Sequence, residues 1–254
     1  MLNRAEIKMQ AKSIMRGAEV SPYLITLIVL AIGLVLNEIA ETVEYGAPFG
    51  SVSATQQYLD MIANGDLDAL AASTIPETTT GSFFFSVLVS LVTVVLNGGY
   101  FIYCMGIRQG LRMPYSTLAD GLSVAGKLIW CWLQISVRTF LWSLLFVIPG
   151  IVATYRYRFA YYNLLTDASL SAGDAIRLSC QQTQGVKGEL FVLDLSFIGW
   201  YMLIPLTLGI LNIWLTPYVT LCDLAYFEDA QLRLGRAPYG GTPGPRATGE
   251  DPWQ

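Results

Sequence analysis

Long stretches of this chain carry no charge at all. Tyr23–Leu36, Phe83–Leu96 and Trp142–Ala153 contain no Asp, Glu, Lys or Arg. Blocks of that kind suit a lipid bilayer, whose hydrocarbon is spanned by about 20 apolar residues. Composition agrees: 54% of residues are hydrophobic and 13% charged, against about 25% charged in ordinary soluble domains. So little charge leaves too few polar side chains to cover a water-soluble globule. In lipid every backbone polar group must be satisfied internally. The expected fold is therefore all-α, a polytopic transmembrane helical bundle.

Six spans are expected within a membrane domain over residues 21–232, at about 22–41, 82–105, 128–148, 151–165, 189–208 and 211–231. Proline is tolerated in a first helical turn, so Ser21-Pro22 opens the first span. Pro149-Gly150 is read as the end of the third. The fourth is the weakest, because Thr154-Tyr155-Arg156-Tyr157-Arg158 interrupts it. Between spans four and five, Ser171 and Asp174 form a capping-box-like start, and Gly185 a stop, for a short cytoplasmic surface helix. Leu208-Gly209 is the turn between the last two spans. Residues 42–80 form an acidic loop with Glu44, Asp60, Asp66, Asp68 and Glu77; short helices are expected over Tyr58–Ala72. Residues 233–254 are expected as a disordered cytoplasmic tail, rich in Gly and Pro beyond Gly235.

The basic residues orient the bundle. Lys and Arg are absent from Gly17 to Ile107, which places the acidic loop outside the cell. With six spans, the N-terminus, the Arg108–Lys127 loop, the Arg177–Lys187 loop and the tail arginines all fall on the cytoplasmic side. If the fourth span did not cross, every basic residue after Lys127 would lie on the wrong side. It is therefore counted as crossing, shielded from lipid by its neighbours, with both termini in the cytoplasm.

Residues 1–20 read as an amphipathic helix with Ile7, Ala11, Ile14, Met15 and Ala18 at helical spacing. Arg4, Lys8, Lys12 and Arg16 follow four apart and form an interfacial basic stripe. Such a helix can lie in the headgroup plane of an anionic lipid surface. A plain cytoplasmic start that supplies positive charge is compatible with the same pattern. The segment has no apolar core of its own and is not a secretory signal peptide.

Several function classes are disfavoured. Net charge is −4 and no basic run is dense enough for nucleic acid. The chain has no histidine, the usual zinc ligand and general base. Cys104, Cys131, Cys180 and Cys222 are far apart in sequence and read as free buried thiols rather than a metal cluster or disulfide set. Gly121-Leu122-Ser123-Val124-Ala125 is a near miss for a nucleophile elbow, discounted without a histidine base. No catalytic residue, metal or cofactor is expected, and the protein is read as not an enzyme.

The most informative residues are charges inside the expected spans: Arg138, Arg156, Arg158, Asp194 and Asp223. Each costs roughly 2.5–3.5 kcal/mol at a helix centre, so they must pair, snorkel or line a wet cavity. At about 1.5 Å per residue, the acids fall in the inner half and the arginines near the middle. Arg138 or Arg158 is thus expected to pair with Asp194 or Asp223, and one of Arg156 and Arg158 to snorkel. The cluster reads either as structural ion pairs between helices or as a path for an ion or anionic solute. Gly106-x-x-x-Gly110 has helix-packing spacing but lies at a span end, which favours a loop role. Trp130, Trp132 and Trp214 suit interfacial anchoring. Glu38 and Glu41 read as solvated residues at the outer mouth of span one.

Ile148-Pro149-Gly150-Ile151, Tyr155-Arg156-Tyr157 and Ala175-Ile176-Arg177-Leu178-Ser179 carry a recognisable pattern. It continues through Phe197-Ile198-Gly199-Trp200 to Trp214-Leu215-Thr216-Pro217-Tyr218. With Arg4-Ala5-Glu6-Ile7-Lys8 near the start, the chain resembles the bacterial integral membrane family known as domain of unknown function 975. That resemblance implies a multi-pass protein of the bacterial cytoplasmic membrane and brings no activity or substrate. A more distant likeness is to the non-catalytic membrane region of glycerophosphodiester phosphodiesterases. The expected function is a non-enzymatic accessory, scaffold or lipid-organising role, with the lipid bilayer and a membrane-protein partner. The alternative is a small permease or channel moving an ion or anionic solute past the Arg/Asp cluster. Oligomeric state is not readable from the sequence.

Overall fold

The computed structural model describes residues 3–45, 63–64, 80–145 and 147–236. Most of the acidic loop, with most of the Tyr58–Ala72 stretch where short helices are expected, and the tail beyond Arg236 lie outside the described residues. Among the described residues the chain is all-helical. Its elements are α1 (Arg4–Gly17), α2 (Pro22–Tyr45), α3 (Thr80–Arg108), α4 (Thr117–Asp120), α5 (Ala125–Leu145), α6 (Val147–Tyr157), α7 (Ala160–Thr166), α8 (Ala172–Gln182), α9 (Lys187–Leu195), α10 (Ile198–Leu206) and α11 (Asn212–Arg233). A 3₁₀ turn over Gly121–Val124 joins α4 to α5. Three stretches are long and apolar enough to cross a membrane: Pro22–Ile39, Phe84–Arg108 and Lys187–Leu206.

Two compact units divide the chain. One is residues 30–93, the other residues 3–29 with 94–236. In the first, helical segments of α2 and α3 present apolar side chains outward, with Leu34 67% and Phe84 66% exposed. That is the surface expected of lipid-facing helices, where apolar groups need no water-excluding partner.

The second unit holds the core. Asn3 caps α1, its side chain accepting from the Ala5 amide at 3.1 Å. Ile7, Ala11 and Met15 repeat every four residues and are buried in the same cluster as Tyr103, Phe159, Leu193 and Phe227. The Tyr103 hydroxyl donates to the Val20 carbonyl at 2.7 Å, tying the α1–α2 link to α3. α3 stops at Gly110, whose φ of +74° suits glycine, with the Leu111 amide donating back to the Gly106 carbonyl at 3.0 Å. Gly106-x-x-x-Gly110 is thus a helix terminus.

The structure refines four local expectations. Pro149-Gly150 does not end the third span: α5 closes at Leu145, and Pro149 sits in the first turn of α6, where its missing N–H has no intrahelical partner to lose. The segment expected as the fourth span is divided at Arg158-Phe159 into α6 and α7. The segment expected as the fifth is divided at Ser196-Phe197 into α9 and α10. α8 has its expected cap, the Asp174 amide donating to the Ser171 hydroxyl at 3.2 Å. It is not a plain surface helix. Ala172, Ala175, Ile176, Ser179 and Gln182 form a buried face. Three of these join Cys131 of α5, Ala153 and Tyr157 of α6, and Ala160 and Leu164 of α7 in a second core. Small residues at three- and four-residue spacing let α8 approach closely enough to do this. Leu208 and Gly209, both at positive φ, make the α10–α11 turn.

Candidate functional site

The break between α6 and α7 frees backbone groups that α8 satisfies. The Phe159 amide donates to the Ser179 hydroxyl at 3.1 Å, and that hydroxyl donates to the Arg156 carbonyl at 2.9 Å. One buried serine therefore replaces the helical ladder at the break, as buried backbone groups require. The break leaves Arg158 facing α9 and α11.

Arg158 is shared by two carboxylates. Nη1 donates to Asp194 Oδ2 at 2.6 Å and Nη2 to Asp194 Oδ1 at 2.8 Å, a planar fork on α9. Nε donates to Asp223 Oδ2 at 3.2 Å, and Nη2 reaches Asp223 Oδ1 and Oδ2 at 2.8 and 2.9 Å on α11. The Tyr155 hydroxyl, one turn before Arg158, donates to Asp194 Oδ2 at 2.8 Å. Side-chain exposure is 19% for Arg158, 27% for Asp194 and 11% for Asp223. The guanidinium thus engages donors on all three nitrogens with acceptors from two helices. This arrangement fixes the α6–α7 break, α9 and α11 to one another, and it holds one formal positive charge against two negative ones.

The other two arginines do not reach these carboxylates. Arg156 donates through Nε to Cys180 Sγ at 3.2 Å and is exposed. Arg138, on α5, forms no ion pair among the described residues.

The basic stripe divides. Lys8 Nζ donates to Ser196 Oγ at 2.8 Å, at the junction of α9 and α10, and lies 4.3 Å from the Phe197 ring centre. Lys12 Nζ lies 5.7 Å from the Tyr218 ring centre. Arg4 and Arg16 are exposed. Burial is the largest influence on Lys8 and pulls its pKa below the ordinary lysine value. A cation held there needs ligands for its charge, and the hydroxyl and the ring supply them.

Sequence reasoning passed over a second clamp. Arg108, read as a loop charge, donates through Nε and Nη2 to the two carboxylate oxygens of Glu228, each at 2.7 Å. Its Nη1 also donates to the Leu221 carbonyl at 3.3 Å, and its side chain is 6% exposed. A signal existed: Glu228 lies five residues beyond Asp223 on α11, near the same expected membrane face as the end of α3. Among the described residues, no group of three His, Cys, Asp or Glu side chains has the arrangement to hold a metal ion.

By class, this is an all-helical protein with helices long and apolar enough to cross a membrane, folded around an arginine that two helices share. The family model described as protein of unknown function (DUF975) matches residues 1–233, and the chain belongs to that family. No curated protein and no solved structure matches it.

Proposed function

We propose that this is a non-enzymatic, multi-pass protein of the cytoplasmic membrane, with six spans and both termini inside, acting as a scaffold or lipid-organising accessory for a membrane-protein partner. The observation that carries the reading is the engagement of all three Arg158 nitrogens by Asp194 and Asp223. A guanidinium held at every nitrogen by the protein's own carboxylates acts as a fastener between helices. The distribution of Lys and Arg supports six crossings, because every basic soluble segment then falls on one face.

One observation favours the second reading, a small permease. The fourth and fifth spans are both interrupted, at Arg158-Phe159 and Ser196-Phe197. Interrupted helices at membrane depth commonly surround transported solutes.

Neutralising the fastener separates the two. Asp194→Asn alone lowers folded yield, because Arg158 loses a partner. Arg158→Met with Asp194→Asn and Asp223→Asn recovers yield and thermal midpoint, since no uncompensated charge remains. The same proteins are then reconstituted in vesicles and assayed for proton, potassium and chloride flux. A wild-type flux abolished in the well-folded triple variant overturns the scaffold reading in favour of the permease.

A further inference from the structure

We infer that the break in the fifth span is a binding site for a primary ammonium group, filled in this structure by Lys8 from α1. Two ligands meet the Lys8 nitrogen. Ser196 Oγ accepts its hydrogen bond at 2.8 Å. The fully buried Phe197 ring offers its face at 4.3 Å. Ser196 is itself held in place, its hydroxyl donating to the Leu193 carbonyl at 2.5 Å, so its lone pairs are oriented toward the cation.

The aromatic wall is built, not incidental. Phe197 meets Tyr218 edge to face with ring centres 5.4 Å apart, and Tyr218 lies 4.9 Å from Trp214. Lys12 approaches the same Tyr218 ring. Two lysines one helical turn apart thus engage one aromatic cluster, while Ile7, Ala11 and Met15 seat α1 in the core. The ammonium is the polar anchor that fixes where along the bundle this apolar face docks.

The chemistry selects a ligand class. An ammonium must donate at least one N–H to Ser196 and be small enough to sit over a ring. A quaternary ammonium has no N–H, and a metal cation gains less from one hydroxyl than from its own water. When Lys8 is absent, the ligand is a primary ammonium from solution or the headgroup of phosphatidylethanolamine.

The test places a reporter thiol by Ala11→Cys, at a position 0% exposed in α1, and follows its alkylation by peptide mass in phosphatidylglycerol nanodiscs. Adding Lys8→Ala is expected to speed alkylation about tenfold, the loss of one charged hydrogen bond and one ring contact. Ethylammonium is expected to restore slow alkylation, while potassium and tetramethylammonium at equal ionic strength leave it fast. Nanodiscs containing phosphatidylethanolamine test the lipid source without added amine. Rescue by ethylammonium alone assigns a soluble ligand, and rescue in the phosphatidylethanolamine discs assigns the headgroup. Unchanged alkylation in Lys8→Ala, rescue by potassium equal to that by ethylammonium, or no rescue from either source overturns the proposal. Should Lys8→Ala not fold, Ser196→Ala and Phe197→Leu keep the lysine and remove its ligands. Faster alkylation in both supports the site, and unchanged rates overturn it.

Discussion

Asn163 and Gln182 exchange hydrogen bonds through their carboxamides, Asn163 Nδ2 donating to Gln182 Oε1 at 2.8 Å and Gln182 Nε2 donating back to Asn163 Oδ1 at 2.9 Å. Both are buried, at 1% and 3% exposure, and they join α7 to α8. Asn163 Nδ2 also reaches the Ala175 carbonyl at 3.3 Å. Asn163→Leu strands the Gln182 amide in a dry site. It is expected to cost about 1–3 kcal/mol, read by reversible chemical unfolding in mixed micelles. Adding Gln182→Leu removes the stranded group, so the double variant loses less than the sum of the two single losses. Strictly additive losses are the contrary result.

Arg108 and Glu228 test geometry against charge. Arg108→Lys keeps the charge but cannot present two parallel N–H groups to one carboxylate. It is expected to lose most of what Arg108→Ala loses, about 3 kcal/mol for breaking a well-buried pair. Arg108→Met with Glu228→Met is expected to recover much of the stability. Thermal midpoints of the four proteins in one detergent decide it, and an Arg108→Lys protein as stable as wild type contradicts the fork.

Acid loosens the turn after α7. The Asp167 carboxylate accepts from the Ser169 hydroxyl at 2.5 Å and the Ser169 amide at 3.0 Å. The Ser169 hydroxyl, the largest cause, holds the Asp167 pKa below its ordinary value. A carboxylate depressed in the folded state stabilises it above its unfolded pKa of about 3.9. That contribution fades as pH falls through the lower folded value. Hydrogen exchange at the Ser169 amide is therefore expected to quicken below about pH 4, once corrected for intrinsic exchange. Asp167→Asn, which cannot titrate, removes that dependence.

What was legible from the sequence was local or one-dimensional. The Ser171 cap, the Leu208-Gly209 turn and the amphipathic spacing of Ile7, Ala11 and Met15 each depend on neighbours within a turn or two. Depth counted along the helices put Arg158, Asp194 and Asp223 within reach of one another. It put Arg138 there equally well, because depth says nothing of the direction in which a side chain leaves its helix. The burial of α8 was hidden because Ala172, Ala175 and Ser179 are small, and small residues suit a solvated face or a tight contact alike. The break at Ser196-Phe197 has no proline to mark it. Lys8 is 188 residues from the serine it touches, and no pattern in either segment refers to the other.

A pair of glycines sets how near α3 and the α4–α5 connection can come. A Cβ at Gly99 falls 2.2 Å from the Leu118 carbonyl oxygen, and a Cβ at Gly121 falls 2.3 Å from the Val95 carbonyl oxygen. Both obstacles are backbone, which cannot swing aside as a side-chain tip can. Gly99→Ala is therefore expected to force the two segments apart and cost about 1–3 kcal/mol, the usual penalty of overpacking. Gly126, near the start of α5, is the control, since a Cβ there meets nothing within 4 Å. Replacing a helical glycine in open space by alanine stabilises by roughly 0.5–1 kcal/mol. Gly126→Ala should raise the thermal midpoint while Gly99→Ala lowers it. Two variants of identical chemistry then move in opposite directions, which helix propensity alone cannot produce. If both rise, α3 and the connection are not in backbone contact.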